Sequence, residues 1–107
     1  MITLKELCKK VGVSRRSIQC YENAGLMKSQ DKNKYGYLLY SNETVELAKR
    51  IRFMQELGFK LKEIDYLFNL SIEEQRLELE KKIEMLEEEE KRRVELIKIA
   101  KEYLKSI

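Results

Sequence analysis

Val11-Gly12-Val13-Ser14-Arg15-Arg16-Ser17-Ile18-Gln19-Cys20-Tyr21-Glu22-Asn23-Ala24-Gly25-Leu26 is a run of helix stop and start signals, and its reading decides the fold. Gly12 can adopt the positive φ that ends a preceding helix, and Ser14 is a good N-cap for the next. Ile18 and Tyr21 are spaced to face a core, while Arg15, Arg16, Gln19 and Asn23 fall on the opposite side. Gly25 closes the second helix. Two short helices joined by a glycine-containing turn, the second with a basic, amide-bearing outer face, make a helix-turn-helix. The same pattern also fits an ordinary helical hairpin with a solvated charged face, so the decision passes to the flanking sequence.

Upstream, Thr3 and Glu6 form a capping box, and Ile2 with Leu7 has the spacing of a hydrophobic staple. Leu4, Leu7, Cys8 and Val11 make one apolar face of the first helix, with Cys8 as a small core residue. Downstream, Lys28 to Lys34 is polar and rich in turn formers, and Tyr35-Gly36-Tyr37-Leu38-Leu39-Tyr40 is dense in β-favouring aromatics. This predicts a hairpin, with its tip near Asp31 to Asn33, in the position of a wing. Its tyrosines can pack on the helices, and their hydroxyls are also good phosphate donors. Ser41 caps a third helix to about Leu57, and Gly58 stops it with Phe59 in the usual apolar contact. A fourth helix spans about Leu61 to Asn69, with Lys60 and Lys62 at an N-terminus suited to a DNA phosphate.

Ser71 and Glu74 open a last helix, about residues 72 to 105, too long to belong inside a small domain. Leu79, Ile83, Leu86, Val94, Ile97 and Leu104 form a narrow apolar stripe, interrupted by Glu87 to Glu90. Either this is a single exposed helix or a second copy covers the stripe. The second is favoured, because isolated helices are marginal in water. The charge pattern is segmental. Residues 1–71 carry 13 Lys/Arg against 8 Asp/Glu, residues 72–90 carry 3 against 9, and residues 91–107 carry 6 against 2. A parallel pair would set like blocks side by side, whereas an antiparallel pair sets each acidic half against a basic half.

Composition narrows the function. Without a single histidine among 107 residues, the commonest general base and metal ligand is missing. No nucleophile–base spacing appears either. The expectation is no enzyme, no metal and no cofactor. There is no signal peptide and no apolar run near the ~18 residues of a membrane span. Cys8 and Cys20 therefore read as free thiols in a reducing cytoplasm, with Cys20 the more accessible.

The order of helix, turn, helix, wing, two helices and one long terminal helix resembles the MerR family of bacterial transcription regulators. The residues that carry the resemblance are Leu7 through Val11-Gly12-Val13-Ser14, Tyr21-Glu22 with Gly25-Leu26, Gly36-Tyr37 with Tyr40-Ser41, and Leu57-Gly58-Phe59 with Glu63-Ile64. The fold expected is mainly α, with a winged helix-turn-helix DNA-binding domain over 1–70 and a dimerisation coiled-coil helix over 71–107. The resemblance implies a homodimer joined by an antiparallel coiled coil, bound to a pseudo-palindromic promoter that it distorts for RNA polymerase. It implies DNA-contact roles for Ser14, Arg15, Arg16 and Gln19, with Tyr21, Tyr37, Tyr40, Lys60 and Lys62 on the supporting or phosphate side.

The chain departs from the family pattern in two stretches, at three positions. The second helix often reads Arg-Tyr-Tyr-Glu where this chain has Gln19-Cys20-Tyr21-Glu22, and the wing usually has arginine where this chain has Leu38. Two fewer cations imply weaker or differently specific binding. No effector domain follows the long helix, so the chain is expected to be truncated or to have its signal read elsewhere. Two other readings remain open: a coiled-coil protein-interaction module without DNA binding, and an architectural DNA binder with no polymerase role.

Overall fold

The computed structural model describes residues 1–107 as two compact units, Met1–Asn69 and Leu70–Ile107. The first contains β1 (Ile2–Thr3), α1 (Leu4–Val11), α2 (Arg15–Asn23), β2 (Asp31–Lys32), β3 (Leu38–Tyr40), α3 (Asn42–Glu56) and α4 (Leu61–Phe68). The second is one helix, α5 (Ile72–Ser106).

Helix limits follow the local signals. The Thr3 hydroxyl accepts the Glu6 N–H while the Glu6 carboxylate accepts the Thr3 N–H, closing the capping box of α1. Gly12, at φ 78°, ends that helix with its N–H on Cys8 O at 2.8 Å. Ser14 and Ser41 cap α2 and α3 by accepting the Ser17 and Thr44 N–H groups. At the end of α2, the Leu26 N–H reaches Tyr21 O and the Gly25 N–H reaches Glu22 O. This is a Schellman closure, which satisfies carbonyls the helix leaves unpaired. Phe59 and Gly58 repeat it at the end of α3, bonding Met54 O and Gln55 O, and Phe59 is buried as the apolar partner.

The hairpin is a wing, but its tip lies further along than the sequence suggested. Asn33 and Tyr37 close a loop over Lys34-Tyr35-Gly36, with the Gly36 N–H on Asn33 O and Gly36 at φ 83°. The Asn33 side chain accepts the Tyr35 and Tyr37 N–H groups, so it is the tip's organiser and not its apex. A three-residue loop with glycine in the left-handed position is a favoured hairpin connection, and it outweighs the polar run at 31–33. The aromatic run also yields less strand than expected, since only Leu38–Tyr40 pairs. A third strand not anticipated completes the sheet: β1 pairs antiparallel with β3, Ile2 opposite Tyr40, giving the order β1-β3-β2.

The core of the first unit is built where α1, α2, α3 and α4 turn their apolar faces inward. Leu7, Ile18, Ile51 and Ile64, one from each helix, are fully buried, as is Tyr40 from the sheet. In α5, by contrast, no residue is buried. Ser71 caps it through the Glu74 N–H. Its ion pairs, such as Lys81–Glu78 and Arg92–Glu95, are exposed i,i+3 contacts that add little to stability. No helix is long and apolar enough to cross a membrane.

Candidate nucleic-acid interface

The outer face of α2 is built by what its inner face holds. Ile18 and Tyr21 are buried, which turns Arg15, Arg16, Gln19 and Asn23 to solvent, as the spacing predicts. The Tyr21 hydroxyl donates to Gln55 Oε1 of α3 at 2.6 Å, pinning the helix from behind. The Tyr40 hydroxyl donates to Glu22 Oε1 at 3.2 Å, tying the base of the wing to the same helix. Burial, reinforced by the Glu22 carboxylate, pushes the Tyr40 phenol up to about 12. Burial also raises that of Tyr21.

Of the supporting or phosphate-side roles that the resemblance implies for these two tyrosines, their burial favours the supporting one. Their rings fill the core and their hydroxyls are already committed, so neither can donate to a phosphate. They position the surface instead of forming it. Tyr37 differs: it is 65% exposed, with its ring at the wing tip. Ser14 spends its oxygen on the Ser17 N–H, with the Ser17 hydroxyl beside it at 3.1 Å.

Arg15 and Tyr37 are brought together. They line a cleft of about 500 Å³ with the N-cap Thr3, Leu4 and Lys5 from the first turn of α1, and Gly36 and Leu38 from the wing. Arg16 and Gln19 lie exposed on α2 outside this cleft, and Lys60 and Lys62 are exposed at the start of α4. Lys60 caps α4 only through its backbone N–H, which donates to Glu63 Oε1, so its side chain is left to solvent.

Three residues that hold this surface escaped the sequence reading. Arg52 donates through Nη1 to Val11 O and pairs through Nε with Glu56 at 2.9 Å, clamping the turn between α1 and α2 against α3. Gln55 receives Tyr21. Gln30 accepts the Ser41 N–H and donates to Lys28 O, fixing the strand that enters the wing. Only the Arg52–Glu56 spacing carried a signal, as an i,i+4 pair. The two thiols differ as expected: Cys20 is exposed, whereas Cys8 is half-buried and burial raises its thiol above the ordinary range.

The apolar residues expected to pair α5 are open to solvent. Ile83, Val94, Ile97 and Leu104 are exposed, Leu86 lies at the margin, and Leu79 is half-buried. Leu96, Ile99 and Tyr103 of the helix, and Ile107 just past its end, are exposed too. Steps of three and four residues join them into a second apolar row on another face. This second row was not among the residues expected to pair the helix.

A family model described as MerR HTH family regulatory protein matches residues 2–70. The chain is 43% identical over 65 residues to the mercuric resistance operon regulatory protein of Bacillus cereus, covering 61% of this chain and 49% of that protein. It is 31% identical over 102 residues to the transcriptional regulator YfmP of Bacillus subtilis, covering 94% of this chain and 71% of the relative. The chain thus spans about half the length of the first relative and most of the second. The crystal structure of MtaN, the N-terminus of the Bacillus subtilis multidrug transporter activator, superposes with a TM-score of 0.76 at 28% identity, covering 97% of this chain and 98% of that one. HiNmlR, a MerR family regulator lacking the sensor domain and bound to promoter DNA, shares the fold at a TM-score of 0.67 and 20% identity, covering 88% and 78%. With the matched segment running from the first strand through α4, this chain belongs to the MerR HTH family, whose members are transcription regulators and not enzymes.

Proposed function

We propose that this chain binds a pseudo-palindromic promoter as a homodimer and distorts it for use by RNA polymerase. Residues 1–70 act as the DNA-binding domain and residues 71–107 as the dimerisation helix, paired antiparallel with a second copy. Arg16 and Gln19 read base edges in the major groove, Ser14 and Arg15 flank them, and Lys60, Lys62 and Tyr37 meet the backbone. Tyr21 and Tyr40 hold the surface in place.

The observation that carries this reading is the exposed polar face of α2, locked from behind by Tyr21 and Arg52. A recognition helix must present long side chains from a rigid base, and this one does. HiNmlR, solved bound to promoter DNA, shares this fold.

Selection of bound duplexes from a random pool tests it. A single preferred inverted repeat is expected. On that site Arg16→Ala should cost about 1–3 kcal/mol and relax preference at one position per half-site. A double variant, Arg15→Ala with Arg16→Ala, that keeps its affinity and salt dependence would remove α2 from the interface. It would leave the interaction-module reading in its place.

A further inference from the structure

We propose that the cleft between the first turn of α1 and the wing seats one DNA backbone phosphate, gripped jointly by Lys5, Arg15 and Tyr37. This deepens the functional reading and rests on it. It adds Lys5 as a binding residue and gives Arg15, which flanks the base-reading residues, a grip on the backbone.

Three observations converge on the cleft. Its cations come from separate elements, Lys5 from α1 and Arg15 from α2, and neither takes part in an ion pair. The acid beside Lys5 in sequence cannot neutralise it from the cleft: the Glu6 carboxylate is turned back onto the Thr3 N–H and hydroxyl. On the opposite wall Tyr37 is largely exposed, and no atom lies within 4 Å of where a side chain would start at Gly36. A sugar–phosphate strand can therefore come close to the wing backbone there.

The chemistry favours a phosphodiester over a base edge. An ammonium and a guanidinium only donate, and the side-chain acceptors on the cleft walls are the Tyr37 phenol, which can also donate, and the Thr3 hydroxyl, already bonded to Glu6. A phosphate presents only acceptors to this set, as guanine's major-groove edge also does, but donors arriving from α1, α2 and the wing surround a tetrahedral anion better than one planar base edge. Arginine grips such an anion through two parallel bonds and lysine adds a point charge. Leu4 and Leu38, both half-buried, give the flanking sugars an apolar wall.

The test is a walk of neutral methylphosphonate substitutions along the selected duplex, with full-length wild type, Lys5→Ala, Lys5→Arg and Arg15→Ala. Wild type should lose affinity at one phosphate per half-site within reach of the cleft. Lys5→Ala and Arg15→Ala should each become much less sensitive to neutralisation of that same phosphate. Lys5→Ala should weaken selected and unrelated duplexes by a similar factor, and reduce the log–log salt slope by about 0.9 per bound protomer. Lys5→Arg should restore the slope.

Three results would overturn the proposal while leaving DNA binding intact. These are an unchanged slope in Lys5→Ala, two variants blind to different phosphates, or a Lys5→Ala whose base preference shifts at one position. A wild type that binds no duplex would overturn the functional reading and this one with it. Lys5 is exposed and takes no part in the cap, so circular dichroism should show the variants as folded as wild type.

Discussion

Tyr40 shows how far one residue's role depends on partners distant in sequence. Its side chain sits opposite Ile2 in the sheet and reaches Glu22, eighteen positions away. Six tyrosines look alike in the sequence, and only Tyr21 was placed inward by its spacing from Ile18. The rest needed the strand register, which a short aromatic run does not fix. Tyr40→Phe is expected to cost about 1 kcal/mol, because it removes a hydrogen bond to a carboxylate that water can then reach. The pH dependence follows from the raised phenol. The fold favours the protonated form, held to about 12 against an ordinary value near ~10, so this stabilisation is complete below pH ~10 and fades as pH rises through 12. An alkaline titration followed by tyrosinate absorbance and circular dichroism should show a late ionisation step coupled to loss of helix, absent in Tyr40→Phe. An ionisation of Tyr40 completed well below that range with the helices intact would contradict its burial.

Elements whose signals are local were legible, and those held by distant partners were not. Each serine cap and each glycine stop was readable because the partner groups lie within five residues. The wing was readable as a hairpin but misplaced, since its register depends on Asn33 closing the loop and on β1, a two-residue strand with no periodicity to detect. Leu38 on β3, where the family resemblance implies an arginine, lines the cleft beside Arg15. Leu38→Arg is expected to tighten DNA binding and to steepen the salt slope by about 0.9 per bound protomer, as one more phosphate contact forms. The substitution faces Lys32 across the ladder, so a small loss of stability should accompany it. An unchanged slope in a folded variant would mean that the wing does not lie along the backbone.

At the scale of the whole molecule, the chain divides into a unit with a core and a unit without one. The sequence made that division visible through its charge blocks and its narrow stripe, but the second apolar row on α5 went unread. It shares its segment with the first row, so the two faces overlap in one apolar-rich run. The proposed antiparallel pairing makes a direct prediction at Glu73, which is exposed and free of the Ser71–Glu74 cap. In a Cys8→Ala, Cys20→Ser background, Glu73→Cys should not crosslink to its own copy, because a helix of 35 residues is ~52 Å long and the two ends point apart. Ready crosslinking would bring the N-terminal ends together and make the pair parallel. The lack of any buried residue on α5 also has a consequence in mass action. The first unit carries its own core, so its folding is independent of how much protein is present, while pairing weakens by about 1.4 kcal/mol for each tenfold dilution. Below the dissociation constant of the pair, the two-headed species grows as the square of chain concentration. Under the proposed pairing, doubling synthesis would quadruple the form able to span both half-sites, and the promoter would respond to the amount of regulator more steeply than any single head could.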